Sequence, residues 1–239
     1  MDMRQAVQIG KQIARELDKD DQIAALSHLS PILAARTRFP YLQRIGETLS
    51  KRAAEQALPF LELIARQGSE GSWVVIGGCL KSHLQVNLIE AHQYCRRYII
   101  MADIWYGADI LGERVPGPGL LTAFDKTLLI LEKWRSDSNP WVRRSVGVAV
   151  HHWTKRAGGD SSRDNRVKLL LDLLDPMFTE WAMPAAKGVG WALKTIGKYH
   201  PDLLMAWLPP RLKRKHRAVV RRKAVTYLPD GFIDSIISA

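Results

Sequence analysis

Trp73-Val74-Val75-Ile76-Gly77-Gly78-Cys79-Leu80 is the one run in this 239-residue chain that reads as a strand. No second run of that kind is available to pair with it. An unpaired strand leaves its N–H and C=O groups without partners, so helix is the better reading. Working outward from a helix over 72–84, apolar residues recur at helical spacing on both sides. Helices are expected over 2–18, 21–35, 40–55, 58–67, 86–98, 101–112, 119–136, 140–156, 165–174, 183–199, 201–208 and 216–228. The prolines at 31, 40, 59, 116, 118, 140, 176, 184, 201, 209, 210 and 229 read as helix starts and connectors, because Pro is tolerated in a first turn and rarely inside a helix. Short helices with short links, in pairs of roughly 35–45 residues, predict an all-α fold: an α-α superhelix (solenoid) of HEAT-like helical repeats. No shift of composition marks a boundary, so a single domain over 1–239 is expected. Residues 157–165 read as a polar loop inside the array.

With 46% apolar and 25% charged residues, the chain has the makings of an ordinary globular core. No apolar run is long enough to span a bilayer, and Met1–Gln5 lacks the apolar segment of a signal peptide, so a cytoplasmic protein without membrane contact is expected. Cys79 and Cys95 are too few for a disulfide framework or a zinc site, and read as buried reduced thiols. The net charge is +11 and unevenly spread. Residues 1–120 carry 14 Lys/Arg against 13 Asp/Glu, whereas residues 121–239 carry 21 against 11. Cationic charge concentrated in one half points to a polyanion, nucleic acid first, because neutralising phosphates releases counterions. A basic surface that merely solvates the protein is the plain alternative.

Three helical faces carry chemistry. On 183–199, Val189, Ala192, Leu193 and Ile196 form the apolar stripe. Trp191 lies about 200° from Val189, among Lys187, Lys194 and Lys198. Gly188 and Gly190 each weaken a helix by about 1 kcal/mol relative to Ala, and would let something approach the backbone closely. An indole among lysines suits a nucleic-acid surface; a second buried side of the helix is the alternative. On 140–156, Val142, Val146, Ala149, Val150 and Trp153 cluster, while Arg144, His151 and Lys155 share the opposite side with Val148. That side reads as a phosphate ladder or a solvated face. His151 and His152 are adjacent and point apart, so no metal pair is expected. Arg211–Lys223 holds eight Lys/Arg in thirteen residues, with Arg217, Arg221 and Arg222 as candidate DNA contacts. Finally, Trp105 and Asp109 stand one above the other at i, i+4. By itself that spacing fits a partly buried Trp beside a surface Asp.

Taken in order, Trp105-x-x-x-Asp109, Trp141-Val142-Arg143-Arg144, Lys187-x-x-Gly190-Trp191-Ala192-Leu193-Lys194 and Arg221-Arg222-Lys223-Ala224 resemble the AlkD family of DNA alkylation-repair glycosylases. The similarity is strongest over about 100–228, with a fainter likeness around Arg38–Gly46. The resemblance implies a HEAT-like superhelix whose concave groove faces DNA. It makes Asp109 the catalytic carboxylate, Arg144 the phosphate-contacting arginine, and Trp105 and Trp191 aromatic walls. Tyr106 stands where members usually carry a second acid. The stretch Gly112–Gly119 is unusually rich in Pro and Gly.

The resemblance implies excision of N3- or N7-alkylated purines from double-stranded DNA. Such a base is already cationic and leaves without a general acid. There is no helix-hairpin-helix signature, no metal cluster and no obvious Schiff-base lysine, so a monofunctional hydrolase is favoured over a lyase; no cofactor and a monomer are expected. His151, Lys155, Lys187, Lys194, Lys198, Arg217, Arg221 and Arg222 are its expected DNA contacts. Two other readings share the basic faces: a non-catalytic DNA-binding solenoid, and an interaction repeat for an acidic protein.

Overall fold

In the computed structural model, residues 1–232 are described, the side chain of Ala54 excepted. The described residues form helices and no strand. The chain divides into two compact units, Met1–Val115 and Pro116–Ala239. Residues 116–120 are uncharged, so the charge asymmetry of the sequence falls on this division.

The first unit contains α1 (Met3–Leu17), α2 (Gln22–Ala34), α3 (Phe39–Arg52), α4 (Ala54–Ala65), α5 (Glu70–His83), α6 (Leu88–Ala102) and α7 (Trp105–Arg114). α1, α3, α5 and α7 stack side by side in one row; α2, α4 and α6 back them in a second. This is paired-helix packing, each helix burying one stripe against the next pair. The Trp73–Leu80 run is the interior of α5, and every residue from Ser72 to Leu80 is buried. Burial on all sides explains why this run shows neither a helical nor a strand period. Glycines make the close stacking possible: a Cβ on Gly46 would collide with the Val75 carbonyl, and one on Gly78 with Gln43.

The second unit contains α8 (Pro116–Thr122), α9 (Phe124–Trp134), α10 (Pro140–Ala157), α11 (Asp164–Leu174), α12 (Met183–Tyr199), α13 (Pro201–Trp207), α14 (Pro209–Leu212) and α15 (Ala218–Ala224). Here α8, α10, α12 and α15 form one row, with α9, α11 and α13 behind. α10 starts where its sequence dictates. The Asn139 side chain accepts from the N–H groups of Trp141 (2.8 Å) and Val142 (3.3 Å), and Pro140 occupies the first turn.

Several expectations are corrected. Pro31 and Pro59 lie inside α2 and α4 rather than at helix starts. The helix expected over 101–112 is broken: α6 runs on to Ala102, Asp103 takes a left-handed conformation (φ 45°), and Ile104 is extended. The helix expected over 119–136 is two, parted at Ala123. The polar loop is shorter than expected, since Ser161–Arg163 forms a 3-10 turn that leads straight into α11.

Cys79 and Cys95 are free and fully buried in the first unit. Burial pushes the Cys79 thiol up to about 12 and the Cys95 thiol up as well.

Candidate nucleic-acid interface

In the first unit the break at Asp103–Ile104 positions the candidate residues. It makes Trp105 the opening residue of α7, with its indole 55% exposed and packed edge-on against Tyr106 at 5.6 Å. Asp109 follows one turn later, half-buried. An indole and a carboxylate thus share one accessible face of α7.

In the second unit the candidate residues lie on α10, α12 and α15. α10 and α12 touch backbone to backbone: a Cβ on Gly147 would collide with Gly188, and one on Gly188 would lie 2.5 Å from the Arg144 carbonyl oxygen. The glycines of α12 are therefore there to admit neighbouring elements. Gly188 admits α10, and Gly190 admits the stem of Lys223, whose Cδ would lie 2.9 Å from a Cβ there.

This close approach overturns the solvated side expected for α10. With α8 and α12 packed on its flanks, α10 buries Arg144 and His151, each 9% exposed, together with Val148. Lys155 stays exposed. Arg144 donates to the Pro184 carbonyl at 3.3 Å, which ties it to the first turn of α12. His151 is not a cationic contact. Its ring stacks on Trp191, centroids 4.1 Å apart and 25° from parallel. Thr195 Oγ1 donates to the Trp191 carbonyl (3.0 Å), so His151 Nδ1–H donates to Thr195 Oγ1 (2.6 Å). Burial, reinforced by the Lys155 charge, lowers the His151 pKa to about 4, so the ring is neutral at physiological pH. Trp191 itself is half-buried, with one face against His151.

Beside Trp191 stands a lysine that the sequence reading did not single out. Lys223 on α15 is half-buried, and its pKa is lowered by burial and then by Lys194, Arg144, Arg222 and Lys187. The four charged groups that act most strongly on Lys223 are all cations. A folded protein keeps such self-repelling charge where an anion offsets it. Lys187 and Arg222 are exposed and Lys194 half-buried, so their charged ends reach solvent. Lys194 and Lys198 also sit over the exposed ring of Tyr227, at 5.4 and 5.7 Å. The helical wheel of α15 could not reveal this cluster, because it forms only where α15 crosses α12.

The basic run 211–223 is not a uniform track. Asp175 holds Arg211 (2.6 Å) and Arg214 (3.0 Å). Arg221 is exposed, and Arg217 half-buried. Among the described residues no group of three His, Cys, Asp or Glu side chains is placed to hold a metal, and no helix is long and apolar enough to cross a membrane.

Rows of paired helices, with cations gathered around one half-buried lysine in the second unit, define an all-α protein of paired helices with a strongly basic surface. The chain belongs to the DNA alkylation repair enzyme family, whose model matches residues 38–228. Its fold is similar to that of the Pseudomonas fluorescens alkylpurine DNA glycosylase AlkC bound to DNA containing an abasic site analog. The TM-score is 0.59 and the identity 20%, over 92% of this chain and 62% of that one. The chain therefore spans less than two thirds of that relative's length, and at this identity the likeness speaks for the all-α fold. No curated protein matches the chain.

Proposed function

We propose that the protein is a monofunctional DNA glycosylase of the AlkD type, hydrolysing the N-glycosidic bond of N3- or N7-alkylated purines in duplex DNA. The observation that carries this reading is the cation cluster around Lys223, joined by membership of a DNA-repair family and by an exposed Trp105 one turn before the half-buried Asp109. In this reading both units act on one duplex, as a single DNA-binding domain over residues 1–239.

The chemistry asks little of the protein. An N3- or N7-alkylated purine carries its positive charge before the bond breaks, so the departing base needs no proton. As the bond lengthens, positive charge develops on the deoxyribose. A carboxylate at about 4 Å, with an effective dielectric near 20, attracts that charge by roughly 4 kcal/mol, on the order of 10³ in rate. Asp109 supplies this carboxylate and orients the attacking water. The resemblance makes Trp105 and Trp191 aromatic walls, each worth about 1–2 kcal/mol of cation–π stabilisation where it meets the sugar. Arg144 and the lysines hold phosphates and fix the register.

The test is release of 7-methylguanine or 3-methyladenine from alkylated duplex by the wild type and by Asp109→Asn. Release lowered by about 10³, with duplex binding retained, is the expected result. Full activity in the variant removes Asp109 from its role. Binding without release by the wild type leaves a non-catalytic DNA-binding repeat.

A further inference from the structure

Trp181 lies just before α12 and exposes 49% of its surface. Two cations flank its ring at 5.3 Å, Lys215 and Arg217. Between them in the chain, His216 faces inward: its ring packs on Phe178 (5.1 Å) and bonds the Arg214 carbonyl (2.7 Å). Lys215 and Arg217 therefore straddle a turned-in residue and meet on the side of Trp181.

The carboxylates nearby are committed elsewhere. Glu180, the residue before Trp181, pairs with Arg143 at 2.7 Å. Asp175 is shared by Arg211 and Arg214. Among the described residues, neither Lys215 nor Arg217 has a carboxylate within ion-pair distance. Arg217 is also held in place: its Nε donates to the Trp181 carbonyl at 2.6 Å. That bond engages Nε alone, and the two terminal nitrogens of a guanidinium suit a phosphate.

We propose that Trp181, Lys215 and Arg217 form a clamp for a DNA sugar–phosphate backbone, additional to the cluster around Lys223. The proposal rests on the reading of the protein as a DNA-binding enzyme. With an ammonium and a guanidinium each 5.3 Å from its centroid, the indole sits in a cationic setting that favours a phosphate over a base. A phosphodiester fits instead: its oxygens bridge the ammonium and the guanidinium, and its sugar packs on the exposed indole edge. Trp181 and Lys215 bind without touching the scissile bond.

The test is binding of a short undamaged duplex to the full chain, measured over a range of salt. The wild type is compared with Lys215→Gln and with the double variant Trp181→Ala/Lys215→Gln. Losing one phosphate contact makes the slope of log K against log salt shallower by about 1. With loss of the indole as well, affinity is expected to fall about tenfold. Trp181 is half in water, so the melting temperature of the double variant should match the wild type, which separates lost contact from lost fold. Wild-type slope and affinity in the double variant overturn the clamp. So does polyglutamate held by the wild type more tightly than duplex of equal charge. If the wild type releases alkylated base and the double variant binds normally, only the clamp falls. If the wild type binds no duplex at low salt, the functional reading falls with it.

Discussion

The imidazole of His151 forms the floor beneath the indole of Trp191, 4.1 Å away and nearly parallel, and its own position is fixed through Thr195 to the Trp191 carbonyl. A half-exposed tryptophan in a basic surface is thereby held by a neutral, hydrogen-bonded partner rather than by apolar packing. His151→Ala removes the floor and leaves a void. It should destabilise the fold by about 2 kcal/mol, in urea unfolding, and slow base release about tenfold by freeing the indole. His151→Phe keeps a ring in place, loses one hydrogen bond worth about 1 kcal/mol, and should retain most of the release.

The same histidine makes stability sensitive to acid. Its pKa is about 4 in the fold, where burial excludes the charged form, and returns to about 6.5 when the chain unfolds. Between these values the unfolded chain binds a proton that the native state refuses. Stability is therefore unaffected by this group above about pH 6.5 and is lost as pH falls toward 4. After allowance for water near the ring, the loss is at most about 2 kcal/mol. Melting temperature followed against pH should fall over this window in the wild type, and less steeply in His151→Phe. Equal steepness would show that other groups carry the dependence.

Lys223 makes DNA affinity sensitive to base. Burial and four neighbouring cations lower its pKa, and a bound phosphate would raise it again. The protonated form is thus the one that binds, and affinity should fall as alkaline pH removes the proton. Lys223→Arg stays charged throughout and should bind with a flatter pH profile. Duplex titrations from neutral to alkaline pH, at fixed salt, read the difference.

The crossing of α10 and α12 tolerates no side chain. In Gly188→Ala the new methyl would lie 2.5 Å from the Arg144 carbonyl oxygen, a backbone atom that cannot swing aside. Parting the helices should cost about 3 kcal/mol in urea unfolding. It should also weaken duplex binding, since Arg144 is carried on the displaced backbone. Unchanged stability would mean the two helices slide past each other at no cost.

Much of this architecture is legible in the residues. Trp73–Leu80 has no strand partner in the sequence and is a helix, and Pro140 opens a helix as its tolerance in a first turn predicts. Trp105 and Asp109 do share an accessible face, because α7 is exposed on that side. The burial on α10 was not legible, for a definite reason. A helical wheel shows which residues share a face but not how many faces neighbours cover, and α10 is flanked on both sides, so Arg144 and His151 are buried. The break between α6 and α7 rests on a left-handed Asp103, which no proline or glycine announces. Lys223 and Trp181 owe their settings to contacts made some thirty residues away in sequence, beyond the reach of local periodicity.

The two thiols carry a consequence for a protein of this family. Methylating agents that damage DNA also attack sulfur, and they do so through the thiolate at an accessible atom. Cys79 and Cys95 offer neither, being sealed from solvent with their deprotonation suppressed by burial. Both thiols are thus sheltered from the electrophiles whose lesions this family repairs, and alkylation at either would first require the first unit to open.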